Sequence, residues 1–206
     1  QQRVALARAI APQPALILLD EPLSNLDARV RQRLRQDVRA ILKQAGASAV
    51  FDTHDREEAM AIADRVAVMR QGQLEQIDTP EGLYWQPASR FVAGFVAETN
   101  FLEATRSPAG WHTELGPIAL DRVSSPPEAD RVELAIRQTD LQLVPDRDGD
   151  GYLLERQFLG REYAYRVKLP NGHLLQVVTD WRTKLEPGDR VRVQIVSPRL
   201  RAFAID

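Results

Sequence analysis

The hydrophobic pattern of this 206-residue chain changes once, near residue 98. Before that point amphipathic helical patterns alternate with short aliphatic strands, which is the rhythm of βαβ units. After it, apolar residues recur at every second position in short runs that Pro and Gly interrupt, which is typical of small barrels and sandwiches. The sequence therefore predicts two domains, an α/β domain over 1–98 and an all-β domain over 99–206.

The first segment has a clear order of elements. Residues 15–20 (ALILLD) are apolar up to the last, so we expect a parallel strand that is buried on both faces. An amphipathic helix over 27–45 follows, and then a second strand over 49–52. The next helix is predicted to begin at Asp55, with Glu58 as its capping-box partner.

The second segment carries a strong hairpin signal. Residues 162–169 alternate between apolar and polar, and 173–179 read as the returning strand. Between them stands Asn171-Gly172, a dipeptide that favours a tight hairpin turn. Further strands are predicted over 132–136, 151–158 and 190–196.

Composition excludes several kinds of protein. The absence of cysteine excludes disulfides, thiol catalysis and Cys-ligated metals. With 27 basic and 29 acidic residues the net charge is −2, which gives no electrostatic reason to expect nucleic-acid binding. The lysines are only Lys43, Lys168 and Lys184, and none follows a glycine. The chain therefore contains no G-x-x-x-x-G-K-[ST] phosphate loop.

Acidic residues and a histidine stand where the first two predicted strands end. Asp20 and Glu21 follow the buried strand, where α/β sheets place their ligand crevice, and His54 follows the next strand. Asp20 could hold Mg²⁺, and Glu21 could orient or deprotonate a water molecule. Taken singly, the acidic pair could be a solvated turn, Asp27 a helix N-cap and His54 a structural hydrogen-bonding group. Their succession at neighbouring strand ends favours a functional site.

Four segments, in this order, resemble the second half of the nucleotide-binding subunit of an ATP-binding-cassette (ABC) transporter. QQRVALARA resembles the residues after the family's glycine-rich signature, and LILLDEP resembles its Walker B strand. SNLD resembles its D-loop, and THDREEAM its switch-histidine segment. The resemblance implies a partial ABC-type nucleotide-binding domain over 1–98. Residues 99–206 resemble more loosely the oligomer-binding-type regulatory β-barrel of importer ATPases.

The resemblance also implies roles for individual residues. Asp20 would help to hold Mg²⁺ through water, Glu21 would act on the attacking water, and His54 would contact the γ-phosphate of ATP. The remaining residues implied in nucleotide binding are ones near the dimer interface or the signature loop: Ser24, Asp27, Gln1 and Gln2.

For the whole protein, the resemblance implies the ATP-hydrolysing, energy-coupling subunit of a bacterial importer. Such subunits form homodimers around two ATP molecules and act on membrane-embedded permease subunits, and indirectly on a periplasmic substrate-binding protein. They lie on the cytoplasmic face of the inner membrane. The segment 91–104 most resembles the ferric-iron, polyamine and sulfate importers, and we expect ferric iron as the cargo. The alternatives are a polyamine or sulfate importer, or a second domain that acts as a ligand-sensing module.

Two weaker patterns point elsewhere. Residues 146–151 (DRDGDG) fit the first half of a calcium loop, but the twelfth position is Gln157 instead of glutamate, so a polar hairpin loop is expected. A barrel that binds nucleic acid would need a basic surface, and the slightly acidic second segment argues against it.

The family's Walker A loop, adenine-stacking aromatic, glutamine loop and signature would all precede residue 1. We therefore predict that the 206-residue chain alone neither binds ATP tightly nor hydrolyses it. Phosphate release by the purified chain should not exceed that of a protein-free blank. Turnover that requires both magnesium and Glu21 would refute this prediction.

Overall fold

The structure, a computed structural model, describes residues 2–24 and 27–205. The chain divides into two compact units, Gln1–Ala88 and Ser89–Asp206. An α/β unit is followed by an all-β unit apart from one helix, as the sequence predicts.

The boundary between the units lies before the change in sequence pattern. The helix Arg90–Val96 lies within the first segment as predicted from the sequence pattern, over 1–98, but it falls in the second unit of the structure. Ala93 on this helix packs with Ala135 and Phe203 in a small apolar cluster. A short amphipathic helix looks the same in either unit, and only these tertiary contacts assign it.

The first unit contains four helices and four strands within its described residues. In chain order they are α1 (Gln2–Ile10), β1 (Leu16–Asp20), α2 (Ala28–Ala45), β2 (Ser48–Asp52), α3 (Arg56–Ile62), β3 (Val66–Arg70), β4 (Gln73–Asp78) and α4 (Pro80–Trp85). β1 and β2 form a parallel pair joined by α2, which confirms the predicted βαβ unit, and β3 and β4 form an antiparallel pair.

The predicted cap at Asp27 is confirmed, and other helix ends of this unit follow the usual capping chemistry. Asp27 accepts a hydrogen bond from Val30 N at 3.0 Å and caps α2. Gly46 ends α2 in the left-handed conformation, with φ of 61°. Thr79 caps α4, and Pro80 occupies its first turn.

The expectation that β1 is buried on both faces is wrong for this structure. Ile17 is 4% exposed and packs with Val38 and Leu42 of α2, but Leu18 on the other face is 74% exposed. Leu18 is paired in register with Val50, which is 56% exposed. In the described chain the sheet is covered on one side only, and its second face is an open apolar surface.

The second unit contains one α-helix, two single-turn 3-10 helices (Leu120–Arg122 and Gln138–Asp140) and eleven strands within its described residues. The α-helix and the strands are named in chain order. They are α5 (Arg90–Val96), β5 (Thr99–Ser107), β6 (Gly110–Thr113), β7 (Gly116–Ile118), β8 (Val123–Ser124), β9 (Arg131–Arg137), β10 (Leu141–Pro145), β11 (Gly151–Phe158), β12 (Glu162–Lys168), β13 (Leu174–Asp180), β14 (Arg190–Ile195) and β15 (Leu200–Ala204). The sequence missed six of these strands, which are β5, β6, β7, β8, β10 and β15. The pattern of β5 is interrupted by polar residues, and the other five strands are at most five residues long.

These strands form two sheets around one apolar core. The strand orders are β7-β6-β5-β9-β15-β8 and β10-β14-β11-β12-β13. In the second sheet the edge strands β10 and β13 also approach each other, so that the sheet curls towards a barrel. The predicted hairpin between β12 and β13 is confirmed, with Gly172 at φ of 89° in its turn.

A buried amide joins the two sheets. Asn100 on β5 donates from Nδ2 to the carbonyl of Gln176 on β13 at 2.8 Å, and its Oδ1 accepts from Gln176 N at 2.8 Å. Nδ2 also lies 3.3 Å from the carbonyl of Ile136. The side chain thus satisfies backbone groups of both sheets at one point of the core.

None of the helices in the described residues is long and apolar enough to cross a bilayer.

We predict that Asn100→Ala destabilises the second unit by about 1–3 kcal/mol, because the backbone groups of Gln176 lose a buried partner. The free energy of unfolding in urea, followed through resolved amide signals of β5 and β13, measures the effect. Gln142→Ala, on the exposed side of β10, is the control and should stay within about 0.5 kcal/mol of the unmodified protein. Equal losses in the two variants would contradict the assigned role of Asn100.

Candidate active site

The parallel pairing of β1 and β2 brings two strand ends to one edge of the sheet. The register runs from Leu16 opposite Ser48 to Asp20 opposite Asp52. Glu21 directly follows β1, and His54 lies two residues beyond β2. His54 Nδ1 lies 2.8 Å from Glu21 Oε1. The two residues that the sequence singles out for catalysis are therefore in contact.

Glu21 has an unusual backbone conformation, with φ of 37°. Non-glycine residues in this region cost roughly 1–3 kcal/mol and persist only where the surroundings hold them. Glu21 N donates to the carbonyl of Asp52 at 3.0 Å, and the carbonyl of Glu21 accepts from Ser24 N at 3.3 Å and from Ser24 Oγ at 3.0 Å. Ser24 thus fixes the turn that presents the Glu21 carboxylate.

Both catalytic candidates are open to solvent. The side chain of His54 is 73% exposed and that of Glu21 is 46% exposed. The hydrogen bond that His54 donates to Glu21, followed by the attraction between the carboxylate and the imidazolium, raises the pKa of His54 above its ordinary value. Because an ionised carboxylate only accepts hydrogen bonds, the proton of their contact resides on Nδ1.

The other predicted residues have different placements. Asp20 ends β1 and is exposed at the same edge as Glu21, whereas Asp27 is the N-cap of α2. Gln1 lies outside the described residues, as does the side chain of Gln2. The roles of these residues in nucleotide binding stay predictions.

The predicted capping box at α3 is only half formed. Asp55 caps the helix, accepting from Glu57 N at 2.9 Å and Glu58 N at 3.1 Å. The backbone N–H of Asp55, however, donates to Thr53 Oγ1 at 3.0 Å instead of to Glu58. The Glu58 carboxylate turns inwards and accepts from Thr53 Oγ1 at 2.9 Å.

Arginines of α2 pair with this helix start. Arg31 and Arg35 both contact Asp55 Oδ2, at 3.2 Å and 3.1 Å. Partial burial alone would raise the pKa of Asp55, but the capping N–H groups and the two arginines together outweigh it and lower the pKa. The sequence reasoning did not identify Arg31 or Thr53, and it assigned Glu58 only to a capping box. Their signal was a row of arginines at helical spacing facing the acidic start of α3.

A magnesium ion could be held at this edge only with ligands from elsewhere. Within the described chain there is no group of three or more His, Asp or Glu side chains suited to hold a metal. One exposed carboxylate, that of Asp20, fits Mg²⁺ bound largely by water and phosphate oxygens. Residues 146–150 join β10 to β11, and Asp146 pairs with Arg192 at 2.5 Å. The predicted polar loop is present, but it is not a hairpin loop, because β14 lies between β10 and β11 in the sheet.

A family model, the TOBE domain, matches residues 127–203. The match lies within the second unit and identifies most of its strands as a TOBE domain.

Relatives match along most of the chain. The spermidine/putrescine import ATP-binding protein PotA 1 of Pseudomonas aeruginosa is 44% identical over 87% of this chain and 51% of its own length. The sulfate/thiosulfate import ATP-binding protein CysA 2 of Chromobacterium violaceum is 48% identical over 98% and 58%. The Fe(3+) ions import ATP-binding protein FbpC 2 of Rhizobium meliloti is 38% identical over 99% and 57%.

The chain is a homologue of ABC importer ATP-binding subunits. It spans between about half and 60% of the length of the curated relatives it matches. The solved structure of the cytoplasmic molybdate-binding protein ModG, with molybdate bound, matches with a TM-score of 0.38 and 12% identity over 52% of this chain and 95% of that chain. A likeness of that degree carries no argument about ligand or mechanism.

We predict that the His54 imidazole of this ABC-subunit homologue titrates above pH 6.5 and that Glu21→Gln lowers its midpoint. The carboxylate stabilises the protonated ring, so the favourable contact is complete below the ordinary pKa and is lost as the pH rises through the raised one. Nitrogen-15 NMR of histidine-labelled protein measures both midpoints.

The His112 signal, which arises from the second unit, serves as the internal control and should be the same in both proteins. A His54 midpoint that does not change in Glu21→Gln would contradict the contact.

Proposed function

We propose that the chain is part of the ATP-hydrolysing, energy-coupling subunit of a bacterial ABC importer. The observation that carries the proposal is the 2.8 Å contact between Glu21 and His54 at the carboxyl ends of two parallel strands. The names of the relatives, which are import ATP-binding proteins, support the same class of activity.

In this proposal Glu21 orients and polarises the attacking water. Its carboxylate is half exposed, so water and substrate can reach it, and the strained turn keeps it in a fixed position. His54, when protonated, donates Nδ1–H to Glu21 and can place its Nε2–H towards the γ-phosphate of ATP. Phosphoryl transfer depends mainly on such positioning and charge stabilisation, because little covalent chemistry is required of the protein.

Asp20 is the residue that would hold Mg²⁺, through water. The ion, when bound with ATP, supplies charge neutralisation at the phosphate oxygens. Gln1 and Gln2 would follow the loop that contacts the nucleotide of the opposite subunit.

We place the full-length subunit in a homodimer that encloses two ATP molecules, with Ser24 and Asp27 near the interface. It would act on membrane-embedded permease subunits from the cytoplasmic face of the inner membrane, and indirectly on a periplasmic substrate-binding protein.

Ferric iron stays our prediction for the cargo, with a polyamine or sulfate as the alternatives. Relatives named for all three substrates match at 38–48% identity. An iron-binding periplasmic protein and a permease encoded beside this gene would support iron, and a polyamine or sulfate receptor in that position would overturn it.

A second candidate function belongs to the TOBE domain. It lies in a unit with its own buried core, a requirement for a separate binding module. We propose a ligand-sensing or regulatory role for it in addition to the ATPase. Calorimetric titration of the 206-residue chain with oxyanions and divalent metals tests this role, and the absence of any binding would leave a structural barrel.

We predict that Glu21→Gln in a full-length subunit that contains this chain lowers the kcat of ATP hydrolysis by about 10²–10⁴-fold, because the water loses its general base. His54→Ala should lower kcat as well. Both variants should retain magnesium-dependent ATP binding, measured by fluorescence of a labelled nucleotide.

Glu57→Gln is the matched control, since Glu57 is 75% exposed and pairs with Arg35 of α2, and it should hydrolyse ATP as the unmodified subunit does. Full activity in Glu21→Gln would overturn the proposed catalytic role.

A further inference from the structure

His54 is held in place by its neighbours in the chain. Its side chain is 73% exposed, and its hydrogen bond in the described part of the chain is the one to Glu21. An exposed imidazole with a single partner exchanges readily between rotamers on the nanosecond scale. A stable contact at 2.8 Å therefore requires that the backbone around His54 be fixed.

The residues on either side of His54 are tied to each other. Thr53 Oγ1 accepts from the backbone N–H of Asp55 at 3.0 Å. The same hydroxyl donates its single proton to Glu58 Oε2 at 2.9 Å. The segment from Thr53 to Asp55 is thus closed into a small loop with His54 at its tip, and the loop is fastened to α3 through Glu58.

Glu58 is an unusual residue for this position. It is 2% exposed, and a buried carboxylate is unfavourable unless it is paired. Its Oε1 lies 3.7 Å from Arg31 Nε, while Oε2 accepts from Thr53.

The burial of Glu58 is not needed to join the two helices. Arg31 and Arg35 of α2 already pair with Asp55 at the start of α3. What Glu58 adds is a fixed acceptor for the residue that directly precedes His54.

We propose that Glu58, through Thr53, is a positioning residue that holds His54 against Glu21. Arg31, which belongs to α2, balances the negative charge of the buried Glu58 carboxylate. The effect on hydrolysis rests on the proposed function, whereas the effect on the contact between His54 and Glu21 does not.

Substitutions at Thr53 test the proposal in the 206-residue chain without changing any charge. Thr53→Val removes the hydroxyl at nearly constant shape, and Thr53→Ser keeps it. In nitrogen-15 NMR titrations, Thr53→Val should bring the His54 midpoint down to that of Glu21→Gln, and Thr53→Ser should retain the unmodified midpoint.

Substitutions at Glu58 separate position from charge. Glu58→Gln keeps an oxygen for the Thr53 hydroxyl and should retain most of the raised midpoint, whereas Glu58→Met should lose it. Glu57→Gln removes a nearby exposed charge and is the control, with no change expected. If Glu58→Met unfolds the first unit, as seen by circular dichroism, the two Thr53 variants decide the question.

The proposal is overturned if Thr53→Val, folded, keeps the midpoint of the unmodified chain. It is also overturned if Glu58→Gln and Glu58→Met lower the midpoint equally, because the effect would then come from charge alone.

A second measurement uses the full-length subunit. Thr53→Val should lower kcat for ATP hydrolysis at unchanged KM, and Thr53→Ser should restore it. A normal kcat in Thr53→Val, together with the expected loss of the NMR contact, would count against the proposed function of His54 and leave its positioning by Glu58 supported.

Discussion

The parallel hydrogen bonding of β1 to β2 is the constraint on which the first unit depends. Two parallel strands end at the same edge, so the residues that follow them meet even though 33 positions separate Glu21 from His54. The crossover helix α2 makes this pairing possible and also supplies the arginines that pair with the start of α3. One connection therefore determines both the meeting of the two side chains and the charges around them.

Much of this could be predicted from the sequence, because short-range patterns carry it. The aliphatic run before Asp20, the cap at Asp27 and the turn at Gly172 depend on a few neighbouring residues each. The order of the strand ends then allowed the contact between Glu21 and His54 to be expected. What the patterns could not provide was the positive φ of Glu21 and the inward turn of Glu58. Each combines a near neighbour with a partner distant in sequence, which is Asp52 for Glu21 and Arg31 for Glu58.

Capping rules failed at Glu58 for an instructive reason. In a capping box, the carboxylate of the glutamate at the third helical position accepts a hydrogen bond from the backbone N–H of the N-cap residue. Here the Thr53 hydroxyl accepts from that N–H, and the Glu58 carboxylate is left to make a buried hydrogen bond.

The two units differ in how completely their sheets are covered. In the second, alternating side chains of two sheets meet in a common core, whereas the aliphatic pattern of β1 predicts a covered face that the first unit leaves open.

The left-handed backbone conformation of Glu21 lowers the stability of the fold at the residue whose carboxylate the proposed reaction needs. Glycine would adopt the same conformation without steric cost and would relieve the turn, yet it would carry no carboxylate. Directed selection for heat resistance would therefore be expected to favour glycine at this position. Under the proposed function the same change would remove hydrolysis, so turnover and a more durable fold place opposite demands on one residue.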